Sequence, residues 1–342
     1  MRTAIIGAGI AGLACANRLV AAGHDVVLFD KARGTGGRLS TRRVATARGE
    51  IAFDHGATHF TVRSPEFRAL AREWMQGGHA APWPVAGLDA WVGVPTMNAP
   101  VKAMAAHHKI LWSSHISAIV REDGAWSLYR ASERIGPFDA VVVAIPAEQA
   151  APLLSLLDFG LARAAMAVRS YPIWTAMFAF DRGLKGLPDF FKSRGPILYG
   201  VRGNARPGRA RHEHWIVQAD WTWSEAHIGA DAATICRELL SALGQAGDIA
   251  VPEPFFADAH RWLFAQPSGS DAGHLWNAAT GLGVCGDWLA HGYVEHAWRS
   301  GHELGATMTR GARSSSALPQ DLARADGDAD GPLPSIQSGS LR

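Results

Sequence analysis

The sequence predicts an α/β fold with a second, largely β-stranded region inserted into it. The chain opens with a strand, a glycine-rich turn, a helix and a second strand, in "TAIIGA", "AGLACANRLVAAG" and "DVVLFD". A later run, "FDAVVVAIP", is an unbroken β-branched segment typical of the middle of a parallel sheet. Between about 170 and 270 the pattern changes to strands with alternating aromatic residues. A βαβ unit therefore comes first, and a separate sheet follows it.

Composition restricts the kind of partner. The 342 residues are 48% hydrophobic, which is enough to form the cores of about two domains. Lysine and arginine (33) barely exceed aspartate and glutamate (31), so we expect a small molecule rather than nucleic acid or a membrane surface. Cys15, Cys236 and Cys285 lie far apart in apolar settings typical of reduced thiols, which predicts a cytoplasmic location. Composition leaves the oligomeric state open.

The first chemical motif is G-x-G-x-x-G at the turn between the first strand and the first helix. Gly7 permits the tight turn, Gly9 lets the backbone approach a pyrophosphate, and Gly12 allows the helix to pack on the strand. The amide groups of the helix start, at Ile10 and Ala11, then face the phosphates. The motif predicts a Rossmann-type dinucleotide site.

The residue that ends the second strand supports this prediction. Asp30 lies 18 residues beyond Gly12, where a carboxylate can accept hydrogen bonds from both ribose hydroxyls, and Lys31 follows it in the same candidate site. A plain glycine turn with a surface aspartate would explain neither the spacing nor the position.

A second glycine cluster, "RGTGGR" at 33–38, indicates which dinucleotide binds. Gly36 and Gly37 allow another close approach of backbone to cofactor, and Arg38 supplies a forked cation for a pyrophosphate. This arrangement suits an extended FAD, whereas a flexible basic loop is the alternative explanation.

The far end of the same cofactor is predicted in "GLGVCGDWLAHGYVEHAWRSG", residues 281–301. Gly286 and Asp287 end an apolar strand, where the carboxylate can hold a ribityl hydroxyl. A helix from about Val294 would direct its amides at the flavin and stabilise the reduced form. Because Cys285 precedes this pair inside the strand, we expect FAD to be bound noncovalently.

The remaining elements follow from hydrophobic periodicity. We predict a strand that bends at Gly56 in "IAFDHGATHFTV", and a meander with a return strand over 109–145, beginning with a strand at "KILWSSHISAIV". The aromatic strands are "IWTAMFAF", "HWIVQADWTW" and "FFADAHRWLFA", with a helix at "DAATICRELLSALGQ". From 312 onward the sequence is rich in Ser, Pro, Gly and Asp, which predicts a disordered tail.

Residues 1 to about 310 resemble the renalases, particularly the bacterial ones, within the flavoprotein amine oxidase and hydroxybenzoate hydroxylase superfamily. The tryptophan after the Gly-Asp pair and the run "HRWLFA" are specific to renalases. The matching stretches are "IIGAGIAGL", "FDKARGTGGR", "FDHGATHFT", "WVGVPTMNA", "VVVAIPAEQA", "AHRWLFAQP" and "CGDWLAHGYVEHAWRSG".

This resemblance implies a Rossmann-type, glutathione reductase-like FAD-binding domain with an interleaved α+β substrate domain whose mixed sheet covers the flavin. It also implies that His55, Gly56 and Ala57 contribute to the cofactor site. The predicted boundaries are 1–50, 106–150 and 272–311 for the FAD-binding domain, 51–105 and 151–271 for the substrate domain, and 312–342 for the tail.

The resemblance further implies an activity. Bacterial renalases oxidise misreduced dihydro-NAD(P) isomers, the 2- and 6-dihydro forms, by hydride transfer to flavin N5, and pass the electrons to oxygen as hydrogen peroxide. Aromatisation of the dihydropyridine drives this transfer, so flavin N5 carries the chemistry and we assign no catalytic side chain. Amine oxidases of this superfamily usually carry a lysine on a strand comparable with residues 171–180, which contain none here.

Aromatic, imidazole and guanidinium groups suit a nicotinamide ring, its carboxamide or the phosphates of the ligand. His59 and His296 depart from the tyrosine and glycine common in the closest renalase motifs. We expect no metal site, because "HH" at 107–108 and "HEH" at 212–214 lack a third ligand at a sensible spacing. The predicted pocket residues are His59, Trp223, His260, Arg261, Trp288 and His296.

Two other functions remain open. The chain could oxidise amines or another small apolar donor as a flavin oxidase or dehydrogenase. It could also be a non-catalytic scaffold of the same fold, as the Rab dissociation inhibitors are. Those scaffolds need no intact flavin site, whereas this sequence predicts both ends of one.

Overall fold

The computed structural model describes residues 1–209 and 211–314. The helices are α1 (Ile10–Ala21), α2 (Pro65–Gln76), α3 (Ala99–Ala105), α4 (Ala147–Leu154), α5 (Phe159–Met166), α6 (Trp221–Ala226), α7 (Ala232–Gly247) and α8 (Val294–Ser314). The strands are β1 (Arg2–Ile6), β2 (Asp25–Phe29), β3 (Arg42–Thr46), β4 (Gly49–Phe53), β5 (Phe60–Thr61), β6 (Ala80–Pro82), β7 (Ala90–Gly93), β8 (Lys109–Leu111), β9 (Ala118–Glu122), β10 (Ala125–Arg130), β11 (Glu133–Phe138), β12 (Ala140–Val143), β13 (Ser170–Phe180), β14 (Phe190–Arg194), β15 (Ile197–Arg202), β16 (Glu213–Ala219), β17 (Phe256–Pro267), β18 (His274–Asn277) and β19 (Leu282–Cys285).

The first sheet has six strands in the order β18-β19-β12-β1-β2-β8. All its neighbouring strands are parallel except β18, which runs antiparallel to β19. Successive side chains of a strand point to opposite faces of this sheet. Ile5 therefore packs with α1 and α8 on one face, and Ile6 packs with α4 and α5 on the other. The predicted βαβ opening is confirmed, as is the central position of the "VVV" run in β12.

The second large sheet has five strands in the order β14-β15-β16-β13-β17, and every neighbouring pair is antiparallel. The prediction of a mixed sheet is therefore wrong. Short connections join β14, β15 and β16 in turn, and such connections can pair strands only in the antiparallel sense. Trp174 and Trp215 on one face pack with α7, whereas Met177 and Ile216 on the other pack with Phe53 of β4.

Several predicted strands have different boundaries in the structure. The segment 109–120 divides between β8 in the parallel sheet and β9 in the β11-β10-β9 meander, while the meander and its return strand β12 are confirmed. The segment 51–62 is β4 and β5 separated by a non-strand stretch, 54–59. The end of "HWIVQADWTW" is helix α6 rather than strand, because the Asp220 side chain accepts from the amide of Trp223 (3.0 Å) and caps the helix. The predicted helix over 231–245 is confirmed as α7.

The strands of the six-stranded sheet all come from the segments predicted for the FAD-binding domain, and β13 to β17 all come from 151–271. Helix α8 ends at Ser314, three residues inside the predicted tail, and the rest of that tail lies outside the described residues. Among the helices of the described residues, none has the length and apolar character needed to span a membrane.

Candidate active site

The turn between β1 and α1 has a backbone that requires glycine. Gly7 has a φ of +106°, and a Cβ on it would lie 2.4 Å from the carbonyl oxygen of Ala144. A Cβ on Gly12 would lie 2.0 Å from the carbonyl oxygen of Gly7. Both contacts are far inside van der Waals distance, so a larger residue would push α1 away from β1. The turn therefore brings the start of α1 against the end of β1.

The first turn of α1 presents amide groups without a side-chain cap. Gly9 is the N-cap residue, and the first turn contains no acidic residue. A Cβ added to Gly9 would meet no heavy atom within 4 Å, so the adjacent space is open. Free helix amides and the helix dipole favour an anionic group. The amides of Ile10 and Ala11, the first two residues of α1, lie where the motif predicts a pyrophosphate.

Asp30 follows the last residue of β2, and backbone amides orient its carboxylate. Its Oδ2 accepts from the amide of Ala8 and its Oδ1 from the amide of Ala32, each at 2.8 Å. Each oxygen keeps a lone pair for a ribose hydroxyl. Lys31 is exposed, and its ammonium donates to Gln149 of α4 at 3.0 Å. Asp30 is thus oriented at the glycine turn, while the charged group of Lys31 lies on the surface.

The second glycine cluster packs against the first. A Cβ on Gly37 would lie 3.9 Å from the Cα of Gly9. Arg38 Nη2 lies 2.5 Å from Asp287 Oδ1, and the same guanidinium donates to two carbonyls of β17. We predicted Arg38 on a pyrophosphate and Asp287 on a ribityl hydroxyl. The structure joins them in one ion pair that links the two ends of the predicted cofactor site.

Asp287 leads from β19 into α8. Its side chain is buried, and the amide of Gly286 donates to Ser300 of α8 at 2.9 Å. Helix α8 begins at Val294, and Glu295 in its first turn accepts from the amides of Arg63 and Ser64, at 2.9 and 2.7 Å. Burial opposes ionisation of Glu295, but these hydrogen bonds outweigh it and lower the pKa of the carboxyl. The start of α8 is thereby tied to the loop before α2.

These groups fit FAD. The free amides of α1 and the guanidinium of Arg38 match a diphosphate, and the carboxylates of Asp30 and Asp287 match hydroxyl-bearing groups on either side of it. Cys285 does not offer a nucleophile for covalent attachment, because burial raises the pKa of its thiol to about 12. The site therefore suits noncovalent binding.

A row of polar side chains crosses the five-stranded sheet on the face opposite α7. Tyr199, Gln218, Thr175 and His260 are paired neighbours on β15, β16, β13 and β17. Gln218 Nε2 donates to Thr175 Oγ1 (3.3 Å) and to the carbonyl oxygen of Gly56 (2.7 Å). The row therefore faces the segment 54–59, which carries three predicted cofactor residues.

His59 lies among aromatic rings at one end of this row. Its ring centroid is 5.5 Å from that of Phe190, 5.7 Å from Tyr199 and 6.5 Å from Trp83. His55 lies at the other end, with ring centroids 5.0 Å from His260 and 5.1 Å from Trp262. The polar row is thus flanked by two aromatic clusters, each of which contains a histidine.

Burial keeps these histidines neutral. It lowers the pKa of His55 to about 4, helped by His260, and lowers the pKa of His59 to about 4, helped by the charge of Arg206. Burial likewise lowers the pKa of His214, on β16, to about 4. At neutral pH these imidazoles can donate or accept hydrogen bonds but carry no charge.

Beside His59 lies a buried cluster of charged groups. Asp54 is in contact with Arg206 Nη1 at 3.2 Å and with Arg209 Nη2 at 2.6 Å. All three side chains are at most 1% exposed. Burial opposes ionisation of Asp54, but the two arginines outweigh it and lower its pKa. Burial lowers the pKa of Arg206 to about 10, which leaves it protonated at neutral pH, so the cluster carries an excess positive charge.

We expect the protein to lose stability as the pH falls from about 6.5 to about 4. His55, His59 and His214 have folded pKa values of about 4, below the ordinary value of 6.5, so their contribution is complete above pH 6.5 and is lost on acidification. Protonation of each histidine should lower the free energy of unfolding by about 2 kcal/mol between pH 6.5 and 5. Urea unfolding at about pH 7.5 and 5 measures this, and His55→Gln should reduce the difference. Equal unfolding free energies at the two pH values would contradict it.

The other predicted pocket residues do not join the row. Arg261 donates to the carbonyl oxygen of Ile228 on the opposite face of the sheet, where Trp223 also packs. Trp288 is 1% exposed in the core between the parallel sheet and α4, and its Nε1 donates to the carbonyl oxygen of Ile145 (3.0 Å). His296 is half-buried on α8, next to His291 and Tyr293. Of the six predicted residues, only His59 and His260 lie along the row.

Most of the residues around the row were not predicted from the sequence. A polar residue on an otherwise apolar strand face could have indicated Thr175 and Gln218, because alternation in "IWTAMFAF" and "HWIVQA" places each of them among inward positions. No local pattern distinguishes the aromatic residues from core residues. The missed residues are Trp83, Thr175, Phe190, Tyr199, Arg206, Gln218 and Trp262. Within 1–209 and 211–314, no group of three His, Cys, Asp or Glu side chains could hold a metal ion.

Known proteins resemble this chain in fold and, over a short stretch, in sequence. It is 40% identical over 58 residues to a 4,4'-diapophytoene desaturase (4,4'-diaponeurosporene-forming) of Staphylococcus aureus (strain Newman). These 58 residues are 17% of this chain and 11% of the desaturase. The chain thus matches only about a tenth of that relative's length.

Solved structures cover nearly the whole chain at low identity. A proposed protoporphyrinogen oxidase from Exiguobacterium sp. 255-15 has a TM-score of 0.68 at 12% identity, covering 91% of this chain and 99% of its own. Cyclohexylamine oxidase from Brevibacterium oxydans IH-35A has a TM-score of 0.65 at 13% identity, with the same coverage of 91% and 99%. A CLA-producing fatty acid isomerase from P. acnes has a TM-score of 0.60 at 14% identity, covering 90% and 98%. These similarities establish the fold and leave the reaction open.

Two family models match in succession. A model of an NAD(P)-binding Rossmann-like domain matches residues 5–74, which include the glycine turn and Asp30. A model of flavin containing amine oxidoreductases matches residues 83–304, which include the five-stranded sheet and Asp287. Together they establish FAD as the cofactor. The chain belongs to the flavin containing amine oxidoreductase family.

Proposed function

We infer that this protein is an FAD-dependent oxidase that takes a hydride from misreduced dihydro-NAD(P) isomers, the 2- and 6-dihydro forms. Bound FAD supplies the redox chemistry, accepting the hydride and passing two electrons to oxygen to give hydrogen peroxide. The protein residues provide a surface that holds a flat donor and excludes water. The resemblance to renalases suggests this donor, and the electrostatics of the site support it.

The excess positive charge beside His59 carries the proposal. Arg206 and Arg209 share one carboxylate, Asp54, and the field of Arg206 already disfavours protonation of His59. A substrate ammonium near His59 would meet the same repulsion, of about 3 kcal/mol for one charge at ~6 Å with an effective dielectric constant near 20. Asp89, the carboxylate that acts on His59, is 37% exposed and is neutralised by its pair with Arg63 at 2.7 Å. A neutral ring attached to anionic phosphates suits this field better than an amine.

The chemistry of the donor agrees with the neutral histidines. An amine must be deprotonated before it can release a hydride, whereas a dihydropyridine aromatises as the hydride leaves and needs no base. The inward positions of β13 are occupied by Thr175, Met177 and Ala179, so this strand provides no lysine or carboxylate. Side chains of this kind can position a ring and its carboxamide without taking a proton.

We expect 2- and 6-dihydro-NAD to bleach the flavin at least ~100-fold faster than any amine at equal concentration, because a charge repulsion of about 3 kcal/mol corresponds to that factor. Anaerobic rapid mixing, followed by flavin absorbance, measures both rates. The rate with the dihydro isomers should not change between about pH 6 and 9, because the pKa values of His55 and His59 are about 4.

Two variants test the electrostatic explanation. Arg206→Met should reduce the ratio between the flavin bleaching rates with dihydro isomers and with amines. Arg194→Met, at an exposed arginine of β14, should leave this ratio unchanged. Rapid bleaching by amines and none by the dihydro isomers would refute the proposal.

Oxidation of an amine or another small apolar donor is the second candidate function. The family match favours it, as does the aromatic cluster around His59, which suits an apolar group. The same rapid-mixing panel distinguishes the two. A non-catalytic scaffold would reduce its flavin with neither class of donor, or would purify without flavin absorbance.

A further inference from the structure

The segment 54–59 connects β4 to β5 without strand pairing, and side chains from the region of the five-stranded sheet bind its carbonyls. Trp262 Nε1 of β17 donates to the carbonyl oxygen of His55 at 2.8 Å. Gln218 Nε2 of β16 donates to that of Gly56 at 2.7 Å. Arg206 Nη1, beyond β15, donates to that of Thr58 at 3.1 Å. Three separate parts of the substrate region therefore hold one short stretch of backbone.

The other side of this stretch touches the cofactor-binding loop. The amide of Ala57 donates to the carbonyl oxygen of Arg38 at 2.8 Å. A Cβ added to Gly56 would lie 2.0 Å from the same oxygen, so the two backbones are in direct contact. Arg38 in turn holds Asp287 at 2.5 Å. A continuous series of hydrogen bonds therefore runs from the five-stranded sheet to the ion pair of the FAD site.

Water cannot readily replace these three hydrogen-bond donors, because little of their surface is accessible to it. As whole residues, Gln218 and Arg206 are 7% and 2% exposed, and Trp262 is half-buried. Removing one donor leaves a buried carbonyl without its partner, which costs more than the hydrogen bond itself contributes. β4 and β5 fix the two ends of segment 54–59, and the hydrogen bond from the Ala57 amide to Arg38 connects its middle to the cofactor-binding loop.

We propose that Trp262, Gln218 and Arg206 are positioning residues that form a carbonyl clamp on segment 54–59, through which the substrate region sets how tightly FAD is held. The clamp keeps Ala57 and Gly56 against Arg38 and so keeps the Arg38–Asp287 pair in place. Coupling of this kind is reciprocal, so FAD and a donor bound against the polar row change each other's affinity by the same factor. This proposal rests on the FAD site and on the substrate face described above, but not on which donor is oxidised.

The test removes one donor at a time and measures FAD release. Trp262→Phe and Gln218→Met keep most of the side-chain volume and should each raise the FAD dissociation rate about 10-fold, the factor for one lost buried hydrogen bond. Trp174→Phe is the matched control, because Trp174 Nε1 donates to the carbonyl oxygen of His227 (3.0 Å) on the opposite face of the same sheet. It should lower thermal stability to a similar extent and leave FAD dissociation unchanged.

Unchanged FAD dissociation in both clamp variants, or an equal increase in Trp174→Phe, would overturn the proposal. Should a variant fail to fold, hydrogen exchange of the unmodified protein provides the second measurement. FAD should slow exchange of the Ala57 amide, and equal exchange with and without FAD would count against the clamp. Flavin bleaching by amines instead of dihydro isomers would refute the proposed function. It would leave the clamp proposal intact, because FAD release is measured without any donor.

Discussion

Asp287→Ala should lose FAD on dialysis, with an affinity at least ~100-fold below that of the unmodified protein. The side chain of Asp287 is 7% exposed and pairs with Arg38 at 2.5 Å, so its removal leaves a partly buried guanidinium without its counter-charge, held only by two carbonyls of β17. Breaking a buried pair costs about 3–5 kcal/mol, and we take the lower figure because Arg38 is itself 33% exposed. The loss affects the cofactor because Asp287 holds Arg38 beside the predicted pyrophosphate position.

The measurement is flavin absorbance per protein after exhaustive dialysis, together with a titration of the apoprotein with FAD. Asp287→Asn should lie between the alanine variant and the unmodified protein, since it keeps the shape and one acceptor. Asp25→Ala is the control, because the pair of Asp25 with Arg2 is exposed on both sides, at 66% and 43%. Full flavin occupancy in Asp287→Ala would remove this residue from the cofactor site.

Asp54→Ala should destabilise the fold more than any surface substitution, by about 5 kcal/mol, because it leaves two fully buried arginines without their shared carboxylate. Thr41 Oγ1 and the amide of Met97 also lose their acceptor, at 2.5 and 2.9 Å. The carboxylate is ionised above its lowered pKa, so its contribution is present at neutral pH and is lost only in strong acid.

The denaturation midpoint at a fixed heating rate, and the fraction recovered as folded protein, report this effect. Asp258→Ala is the matched control, because Asp258 also pairs with an arginine, Arg42 at 2.6 Å, but the two side chains are 26% and 42% exposed. That variant should lose at most about 1 kcal/mol. Replacing Arg209 with methionine in the Asp54→Ala background should recover part of the loss, since one uncompensated charge disappears. Similar losses for Asp54→Ala and Asp258→Ala would show that burial of this cluster is unimportant.

Much of the fold could be predicted because its signals are local. A glycine turn between an apolar strand and a helix, and the 3.6-residue period of α7, need only neighbouring residues to be recognised. The errors arose where a local pattern has two solutions. The aromatic residues after Asp220 suit a strand or a helix, and the hydrogen bond from the Trp223 amide to the Asp220 side chain decides for the helix.

The predicted cofactor residues could be recognised from sequence motifs, whereas most residues of the proposed substrate face could not. Residues predicted to hold FAD lie at strand ends and helix starts, where a motif specifies backbone geometry, and the structure brings the turn at Gly9, the loop at Gly37 and Asp287 into one site. The proposed substrate face, the polar row of the five-stranded sheet, takes its side chains from four strands. Their sequence separations run to more than 80 residues, as between Thr175 and His260, so no local pattern joins them.

The sequence by itself therefore determined the dinucleotide turn, the second glycine cluster, the late Gly-Asp pair and the order of the main elements, because each depends on residues close together in the chain. Only the tertiary structure decided that His260 faces the polar row while Arg261 lies on the other side, that Trp288 is core, and that Arg38 pairs with Asp287. Strand register and face set these outcomes. They result from pairing between distant strands, since a shift of one residue moves a side chain to the opposite face of the sheet.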